Sequence, residues 1–572
     1  MHTDKAKILV LDGDMVPALT VARSLKRKGL TIDCASHVCR SISSYSNSVR
    51  SSFVYPNPLE FEQEFIDWLL QRIKIGGYHL VIPVTERSIL PLMHHRDLFE
   101  DSILAMSSNQ SLEVVLDKSK TLVLAESLNI SIPLSETVHT VGQFERLSSR
   151  FNFPIVVKPA RSIGSTIKEF VPLAVDYAFD LNELRAKVTH LLLFGSVVLQ
   201  EYVNGNGVGV EVIADHGKIA YFFQHERMHE MPLTGGGSSL RKGVELTPDL
   251  KFATEKLIKA LKWHGVAMVE FKLDLNTKSY ALMEINGRLW GSLPLAFNSG
   301  ADFPAMLCEL HLSGRVDEHP VPKIGIVCRN LSSDINWHEA VFRKDDPVGL
   351  VQFPNLLSVL KDLALIFSFR HRFDVQSLSD LNPGVVDAVR FFSKSLKRLK
   401  VKILEKLFFK NQRKQLKSRS FAQKLQDARK ILFVCFGNIN RSVLAEKVFL
   451  ELFPNSNVKC ISAGFHKQKG RPADPVMLEI AKGYNIDLSF HTSQSVNKDM
   501  IETSDIVFVM EKQHWDKVTE MSLPAAKKTF LLGALGGKGG EEIQDPYGKS
   551  VVEYRYCFSA IYENINCLKS NH

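Results

Sequence analysis

The sequence predicts a multidomain protein of the α/β and α+β classes. Its 572 residues are enough for several domains of ordinary size. A composition of 45% hydrophobic and 23% charged residues is typical of globular chains. Short apolar runs alternate with helical patterns at the beginning of the chain and again from Lys430 onwards. This alternation indicates parallel sheets covered by helices.

The first parallel sheet is predicted from the N-terminal pattern. Residues 7–11, 30–35 and 80–84 are the predicted strands, and residues 16–28 form a helical pattern. The segment 12–15 lacks the Gly-x-Gly-x-x-Gly loop of dinucleotide-binding sheets, so no dinucleotide site is expected there. From Asp117 to about Pro320 the pattern is α+β, with glycine-rich connections.

The net charge of +9 comes from one segment of the chain. Residues 390–430 hold 15 of the 71 basic residues and two of the 62 acidic ones, so the remainder carries a slight acidic excess. Apolar residues recur in this segment at helical spacing: Phe392, Leu396, Leu399, Ile403 and Leu407. A solvated spacer helix and an amphipathic helix on an anionic membrane are both consistent with it. No specific nucleic-acid partner is expected, because no stacking aromatics interleave a recognised nucleic-acid-binding module.

Cysteine spacing and hydropathy indicate in which cellular compartment the protein resides. The eight cysteines include no Cys-x-x-Cys pair, which argues against a disulfide-stapled secreted scaffold and a zinc ribbon. The first apolar run is too short for a signal peptide, and no run of about 18 uncharged apolar residues occurs. We therefore expect a cytoplasmic protein, or one held peripherally at the inner membrane face.

The C-terminal α/β region begins with a candidate phosphate-binding loop. The strand 431–434 leads into Cys435, and a helical pattern starts near Arg441. Backbone N–H groups of such a loop point into one concavity, where they bind phosphate and stabilise a thiolate. Arg441 can hold phosphate oxygens, and Cys435 can attack phosphorus to form a phosphocysteine. Asp545, in a turn with proline and glycine, is the candidate acid for the leaving oxygen.

This region resembles the low molecular weight protein tyrosine phosphatases in five stretches. They are residues 434–442, 461–464, 490–493, 505–510 and 545–548. The resemblance implies that Cys435 is the nucleophile, Arg441 the phosphate clamp and Asp545 the general acid, within a central parallel sheet. It implies supporting roles for Phe436, Gly437, Asn438, Ile439, Asn440 and Ser442 in the loop and for Tyr547 at the pocket mouth.

One loop position departs from the family pattern. Asn440 stands where the family usually carries a second cysteine, so we expect catalysis without the protective disulfide and irreversible inactivation by peroxide. An arsenate reductase-like activity is the minor alternative, because the remaining downstream cysteines lie outside the loop. They are Cys460, Cys557 and Cys567.

A second candidate site, for a nucleotide and a divalent cation, is dispersed along the central region. Lys158 ends an apolar strand before the Gly/Ser segment 162–165, where an amine and backbone N–H groups can approach phosphates. This is not a Gly-x-x-x-x-Gly-Lys-Ser/Thr loop, which excludes a Walker-type ATPase. Glu270, Glu284 and Asn286 supply the oxygen ligands that Mg²⁺ prefers.

The ordered set resembles the ATP-grasp superfamily over about residues 1–320. Residues 283–292 resemble its carbamoyl-phosphate-synthase-like branch of carboxylate–amine ligases. The resemblance implies a Rossmann-like pre-ATP-grasp domain, ATP and Mg²⁺ as cofactors with Mn²⁺ as an alternative ion, and a catalytic Arg288. It assigns ATP contacts to Lys118, Lys158, Ser162, Gly164, Ser165, Glu201 and Val203, and metal ligation to Glu270, Glu284 and Asn286. His225, Arg227 and His229 are candidate substrate contacts, the alternative being ordinary surface histidines.

The sequence thus predicts four regions and two activities. The regions are a pre-ATP-grasp βαβ domain (1–115), an ATP-grasp domain (116–320), an accessory segment with a basic helical linker (321–428) and a phosphatase domain (429–572). The expected partners are a phosphotyrosine protein, and a small carboxylate with an amine or thiol. The alternative is a tyrosine phosphatase regulated by a non-catalytic, nucleotide-sensing ATP-grasp half.

Overall fold

The computed structural model describes residues 6–100, 102–147, 150–165, 170–274, 277, 279–346, 349–536 and 541–571. The chain forms two compact units, Met1–Phe392 and Ser393–His572. Within the part of the chain that the structure describes, no helix is both long and apolar enough to cross a membrane.

The first unit begins with the parallel sheet that the alternation of strands and helices predicts. Its elements are β1 (Lys7–Val10), α1 (Val16–Arg27), β2 (Thr31–Ser36), β3 (Ser51–Val54), α2 (Glu62–Gly76), β4 (Leu80–Ile82), α3 (Glu86–His94) and α4 (Asn109–Val115). The strand order is β3-β2-β1-β4, and every pair is parallel. The apolar side chains of β1 and β4 are fully buried, which is why both strands appear in the sequence as continuous apolar runs.

Antiparallel sheets follow in the same unit. Their elements are α5 (Lys118–Ser127), β5 (Ser135–Val138), α6 (Val141–Leu147), β6 (Ile155–Pro159), β7 (Ile163–Ser165), β8 (Phe170–Pro172), β9 (Asp176–Ala178), α7 (Leu181–Leu191), β10 (Val197–Glu201), β11 (Asn206–Asp215), β12 (Lys218–Met231), β13 (Gly237–Val244), α8 (Pro248–Ala260), β14 (Gly265–Leu273) and β15 (Tyr280–Asn286). One sheet has the order β5-β10-β6-β9, and a two-stranded sheet pairs β7 with β8.

A seven-stranded sheet completes the first unit. The remaining elements are α9 (Leu293–Asn298), α10 (Phe303–Ser313), β16 (Val327–Arg329), α11 (Leu331–Arg343), α12 (Leu356–Ala364) and β17 (His371–Phe373). The sheet order is β15-β14-β11-β12-β13-β16-β17, so strands of the accessory segment extend the sheet that carries the predicted metal ligands. The Arg23 side chain also donates to Asp380 at 2.9 Å, which ties the accessory segment to α1.

The second unit is a parallel sheet with covering helices. The long helix α13 (Leu381–Leu416) spans the division between the units, and the later elements are α14 (Arg419–Asp427), β18 (Lys430–Cys435), α15 (Arg441–Leu452), β19 (Lys459–Gly464), α16 (Pro475–Lys482), α17 (Lys498–Glu502), β20 (Ile506–Val509), α18 (Lys512–Met521), β21 (Thr529–Leu531) and α19 (Val551–Asn566). The order is β19-β18-β20-β21, all parallel.

The end of the basic segment packs on this second sheet. Gln412 accepts a hydrogen bond from the Leu531 backbone at 3.1 Å, and the Phe408 and Trp515 rings lie 5.0 Å apart. Phe421 of α14 is buried in the same core. The second compact unit therefore begins well before residue 429. The last turns of the basic helix bury apolar side chains in its core, although the many basic residues of this segment indicate a solvated helix.

Candidate active sites

The loop from Cys435 to Arg441 lies at the carboxyl end of β18, between β19 and β20. Asn438 has a left-handed backbone with φ of 53°, which folds the loop back towards the sheet. Gly464 allows this close packing, because a Cβ at that position would lie 2.6 Å from the Phe436 carbonyl oxygen and 2.8 Å from the Asn438 nitrogen.

The Cys435 thiol is buried among donors of its own loop. The Asn438 backbone N–H donates to Cys435 Sγ at 3.2 Å, and Ser442 Oγ lies 3.0 Å from the same sulfur. The Asn438 side-chain amide donates to Ser442 Oγ at 2.9 Å and to Ser462 Oγ at 3.1 Å. The Asn438 amide fills one acceptor position of the Ser442 hydroxyl. The proton of the Ser442 hydroxyl is therefore free to point at Cys435 and stabilise a thiolate there.

Side chains outside the loop fix its carbonyl groups. Arg471 donates to the Gly437 carbonyl at 2.6 Å, and His491 Nε2 lies 2.6 Å from the Asn438 carbonyl. Burial lowers the pKa of His491 below its usual value, so the neutral ring is the donor. The Ile439 carbonyl accepts from the Asp474 backbone at 3.0 Å. These bonds hold the loop carbonyl groups in place, while the Asn438 N–H points at the thiol.

Arg441 is buried and contacts two carboxylates. It donates to Asp545 Oδ2 at 2.6 Å and to the Ile543 carbonyl at 2.8 Å, and it contacts Glu511. Burial alone would lower the pKa of Arg441, but the charges of Cys435, Asp545 and Glu511 raise it above its usual value. The predicted clamp and the predicted acid are therefore in direct contact, where a phosphate dianion would meet both.

Two exposed aromatic residues accompany this site. Phe436 follows the nucleophile and is 46% exposed, while Tyr547 follows Asp545 by two positions and is 65% exposed. Asn440, in contrast, is buried at the N-terminus of α15. Exposed rings next to a buried phosphate site suit a substrate with a flat aromatic group.

The second site is built on the facing strands β14 and β15. Glu270 and Glu284 are register partners, and the Asn286 amide lies 3.0 Å from Glu270 Oε1 and 3.4 Å from Glu284 Oε1. Burial and the charge of Glu284 raise the pKa of Glu270, although Arg227 opposes them. Burial also opposes ionisation of Glu284, but Lys118 and Lys158 outweigh it and lower its pKa. Two repelling carboxylates beside an amide fit a divalent cation, which would relieve their repulsion.

Two lysines stand beside these carboxylates. Lys158 donates to Gln200 Oε1 at 2.6 Å, and burial lowers its pKa to about 8. Lys118 donates to Ser162 Oγ at 3.0 Å and lies 4.0 Å from Glu284 Oε2. Both amines therefore lie where they can meet phosphate oxygens.

The other predicted nucleotide contacts are more dispersed. Gly164 and Ser165 lie in β7, but the Ser165 side chain and residues 166–169 fall outside the described part of the chain. Glu201 is exposed at the end of β10, and Val203 is half-buried two residues later. Arg288 donates to Glu86 Oε1 at 3.2 Å, and it is close enough to help lower the pKa of Glu284.

The structure separates the three predicted substrate contacts. Arg227 lies 2.6 Å from Glu270 Oε2 and 3.1 Å from Glu230 Oε1.

His225 and His229 are both buried, so their interpretation as surface residues is wrong. His225 Nδ1 lies 2.7 Å from Glu211 Oε1. His229 lies between Asp334 at 2.8 Å and Asp362 at 3.2 Å, with its ring stacked on Trp337. Only Arg227 of the three contacts a predicted metal ligand.

Comparison with known proteins identifies both regions. Residues 194–333 match the model of the family described as ATP-grasp in the biosynthetic pathway with Ter operon. Residues 430–571 match the low molecular weight phosphotyrosine protein phosphatase family. Over 132 residues the chain is 36% identical to the probable low molecular weight protein-tyrosine-phosphatase AmsI of Erwinia amylovora, covering 23% of this chain and 86% of the relative. The C-terminal region belongs to the low molecular weight protein tyrosine phosphatase family. The chain is therefore an enzyme in which an ATP-grasp region precedes a phosphatase domain.

Solved structures resemble each region in turn. Wzb of Vibrio vulnificus in complex with benzylphosphonate is 34% identical, over 25% of this chain and 99% of that one, with a TM-score of 0.23. The L-amino acid ligase from Bacillus licheniformis is 15% identical, over 54% of this chain and 74% of that one, with a TM-score of 0.42.

Glu511 is a phosphatase-site residue that sequence reasoning missed. Its carboxylate contacts Arg441, and this contact outweighs the effect of burial and lowers the pKa of Glu511. One signal could have found it: Glu511 follows the buried strand β20 at the same sheet edge as Cys435. Polar residues at the carboxyl ends of parallel strands are favoured candidates for a site.

Proposed function

We propose that the chain is a bifunctional enzyme. Its phosphatase domain hydrolyses phosphotyrosine in a protein substrate through a phosphocysteine. Its ATP-grasp region joins a small carboxylate to an amine or a thiol, with conversion of ATP to ADP and phosphate. The support is two complete sets of groups: a thiol, a guanidinium and an acid in one unit, and two carboxylates, an amide and two lysines in the other.

The contact between Arg441 and Asp545 carries the phosphatase half of the proposal. Arg441 and the loop N–H groups hold the phosphate oxygens, and the Cys435 thiolate attacks phosphorus. The bond from phosphorus to the tyrosyl oxygen breaks as Asp545 donates its proton to that oxygen. Water then attacks the phosphocysteine, Asp545 accepts its proton, and the phosphorus–sulfur bond breaks to release phosphate and the thiolate.

Hydrolysis of para-nitrophenyl phosphate and of a phosphotyrosine peptide tests this half. Cys435→Ser should abolish both reactions, because a serine hydroxyl lacks the thiolate character that the loop stabilises. The matched control is Cys460→Ser, since burial raises the pKa of Cys460 to about 12 and leaves it an inert thiol. Equal rates for the wild type and Cys435→Ser would contradict the nucleophile assignment.

The cluster of Glu270, Glu284 and Asn286 carries the ligase half. These residues would hold Mg²⁺, which supplies charge neutralisation for the triphosphate oxygens when bound. Lys118 and Lys158 bind phosphate oxygens beside it. Arg227, the buried cation next to Glu270, is positioned to orient the carboxylate substrate.

The proposed reaction proceeds through an acyl phosphate. An oxygen of the substrate carboxylate attacks the γ-phosphorus, and the bond from that phosphorus to ADP breaks. The amine or thiol then attacks the acyl carbon, the carbon–oxygen bond to phosphate breaks, and the attacking group loses its proton. The products are the amide or thioester, ADP and phosphate.

ADP formation from Mg-ATP with pools of amino acids and small carboxylates tests this half. ADP is the informative product, because the phosphatase domain could release phosphate by itself. Turnover in the wild type and its loss in Glu284→Ala would support a ligase, with Glu255→Gln on the exposed face of α8 as the control. Binding of ATP without turnover in any pool would instead favour the nucleotide-sensing alternative.

We also propose that the basic helix contacts an anionic membrane surface. Leu396, Leu399, Ile403, Leu404 and Leu407 of α13 are each about half or more exposed, and lysines interleave them. Exposed leucines beside lysines suit the interface of a bilayer rich in anionic lipid. Cosedimentation with phosphatidylglycerol vesicles, but not with phosphatidylcholine vesicles, is expected for the full chain and should be weakened in Leu399→Glu. Equal recovery with both vesicle types would contradict the proposal.

A further inference from the structure

Asp215, His216 and His264 bring three ligand atoms together at the surface of the first unit. Asp215 Oδ1 lies 3.2 Å from His264 Nδ1 and 3.8 Å from His216 Nε2. All three ligand atoms fall within 4.8 Å of one another. The two imidazole rings are stacked, with centroids 4.5 Å apart. None of these residues belongs to the nucleotide or phosphatase sites.

The backbone holds both sides of this cluster. Asp215 pairs with Lys218 across a two-residue turn between β11 and β12, in which His216 and Gly217 have φ of 44° and 93°. The Gly217 N–H donates to the Trp263 carbonyl at 2.7 Å, directly before His264. The His264 N–H donates to Ser107 Oγ at 3.3 Å. The turn that carries two ligands is thus bonded to the segment that carries the third.

A third histidine packs behind the cluster. The His311 ring lies 5.0 Å from the His264 ring in an edge-to-face contact. Its Nε2 is a buried atom with no hydrogen-bond partner among the described residues. A neutral imidazole is the form that ligates metals.

We propose that Asp215, His216 and His264 bind a divalent transition metal ion, with Zn²⁺ as the probe that defines the site. Two imidazoles and one carboxylate are ligands that Zn²⁺ accepts, at metal–ligand distances of about 2.0–2.2 Å. Because the two rings are stacked, the exposed His216 ring must turn about its side-chain bonds to direct its nitrogen at the same ion as His264. The remaining coordination positions face solvent. This nitrogen-rich ligand set differs from the oxygen ligands that suit Mg²⁺ at Glu270 and Glu284.

Titration calorimetry of the full chain with Zn²⁺ tests the site. The protein is prepared without a histidine tag, in the Cys435→Ser form to remove the loop thiolate, and with excess Mg²⁺ to occupy the carboxylates of the nucleotide site. One Zn²⁺ per chain is expected, with affinity reduced at least about tenfold in His216→Gly and in His264→Ala. The matched control is His94→Ala, which removes an exposed histidine that also lies 2.9 Å from a carboxylate, that of Glu62.

Thermal unfolding separates metal binding from folding. Zn²⁺ should raise the melting temperature of the wild type, because it binds the folded chain. His216→Gly should abolish this increase without lowering the melting temperature of the metal-free chain, since glycine adopts the left-handed turn without strain. Unchanged Zn²⁺ affinity in His216→Gly, or no Zn²⁺ binding by the wild type, would overturn the proposal.

Discussion

The two enzyme sites of this chain are built in different ways. The phosphatase loop collects its predicted nucleophile, thiolate-stabilising groups and phosphate clamp within residues 435–442, and the backbone between β18 and α15 sets their positions. The ATP-grasp site draws its lysines and its predicted metal ligands from residues 118–286, which several strands and helices must bring together. The first site depends on local geometry and the second on tertiary pairing.

The difference extends to how the charges are held before substrate binds. In the phosphatase loop, neutral donors surround the thiol, and only Arg441 is engaged by side-chain charges. In the ATP-grasp region the binding groups pair with one another, as Arg227 does with Glu270 and Lys118 with Glu284. Substrates of the second site must therefore replace internal ion pairs, so single substitutions there disturb neighbouring charges as well.

The largest effect is expected from removing the proposed proton donor of the phosphatase. Asp545→Asn keeps an acceptor for Arg441 but cannot donate a proton, so hydrolysis of phenyl phosphate should slow by about 10²–10⁴-fold. Para-nitrophenyl phosphate, whose leaving group needs little protonation, should be affected less. Rates measured with both substrates check this, and an equal loss for the two esters would count against Asp545 as the acid.

The same contrast explains what the sequence could and could not predict. The loop residues were predictable because Cys435, Asn438, Arg441 and Ser442 lie within eight consecutive residues. His225, Arg227 and His229 were predicted to contact substrate, but α11 packs on the strand that carries them, and Asp334 of α11 pairs with His229. That helix comes from residues 321–385, whose pattern the sequence does not make legible.

A cysteine introduced at position 440 should change the response to peroxide. Cys460 and Cys557 cannot replace the family's second loop cysteine readily, because burial raises the pKa of each to about 12 and keeps them protonated. Peroxide should thus inactivate the wild type irreversibly, whereas Asn440→Cys should recover most of its activity with dithiothreitol. Activity before oxidation and after reduction is the measurement, and full recovery of the wild type would contradict it.

The affinity of the ATP-grasp region for ATP should fall at alkaline pH. Burial lowers the pKa of Lys158 to about 8, so the amine is charged below this pH and loses its charge as the pH rises through it. Between about pH 7 and about pH 9 the Kd for ATP should increase by up to about tenfold. Lys158→Arg should flatten the profile, because arginine stays charged. A wild-type Kd that is constant over this range would argue against a phosphate contact for Lys158.

The smallest effect is expected from substitutions of Glu511. The direction of the change in phosphate inhibition shows whether Glu511 acts through its negative charge or by orienting Arg441. Glu511→Gln keeps an acceptor for Arg441 while it removes a negative charge beside the phosphate position, so inhibition by inorganic phosphate should become stronger, by less than about tenfold. Glu511→Ala also removes the contact that orients Arg441, so there inhibition should become weaker. Inhibition constants for inorganic phosphate, measured in both variants and the wild type, distinguish these two roles of Glu511. If both variants bind phosphate more tightly, Glu511 acts only through its charge, and Asp545 alone is enough to orient the clamp.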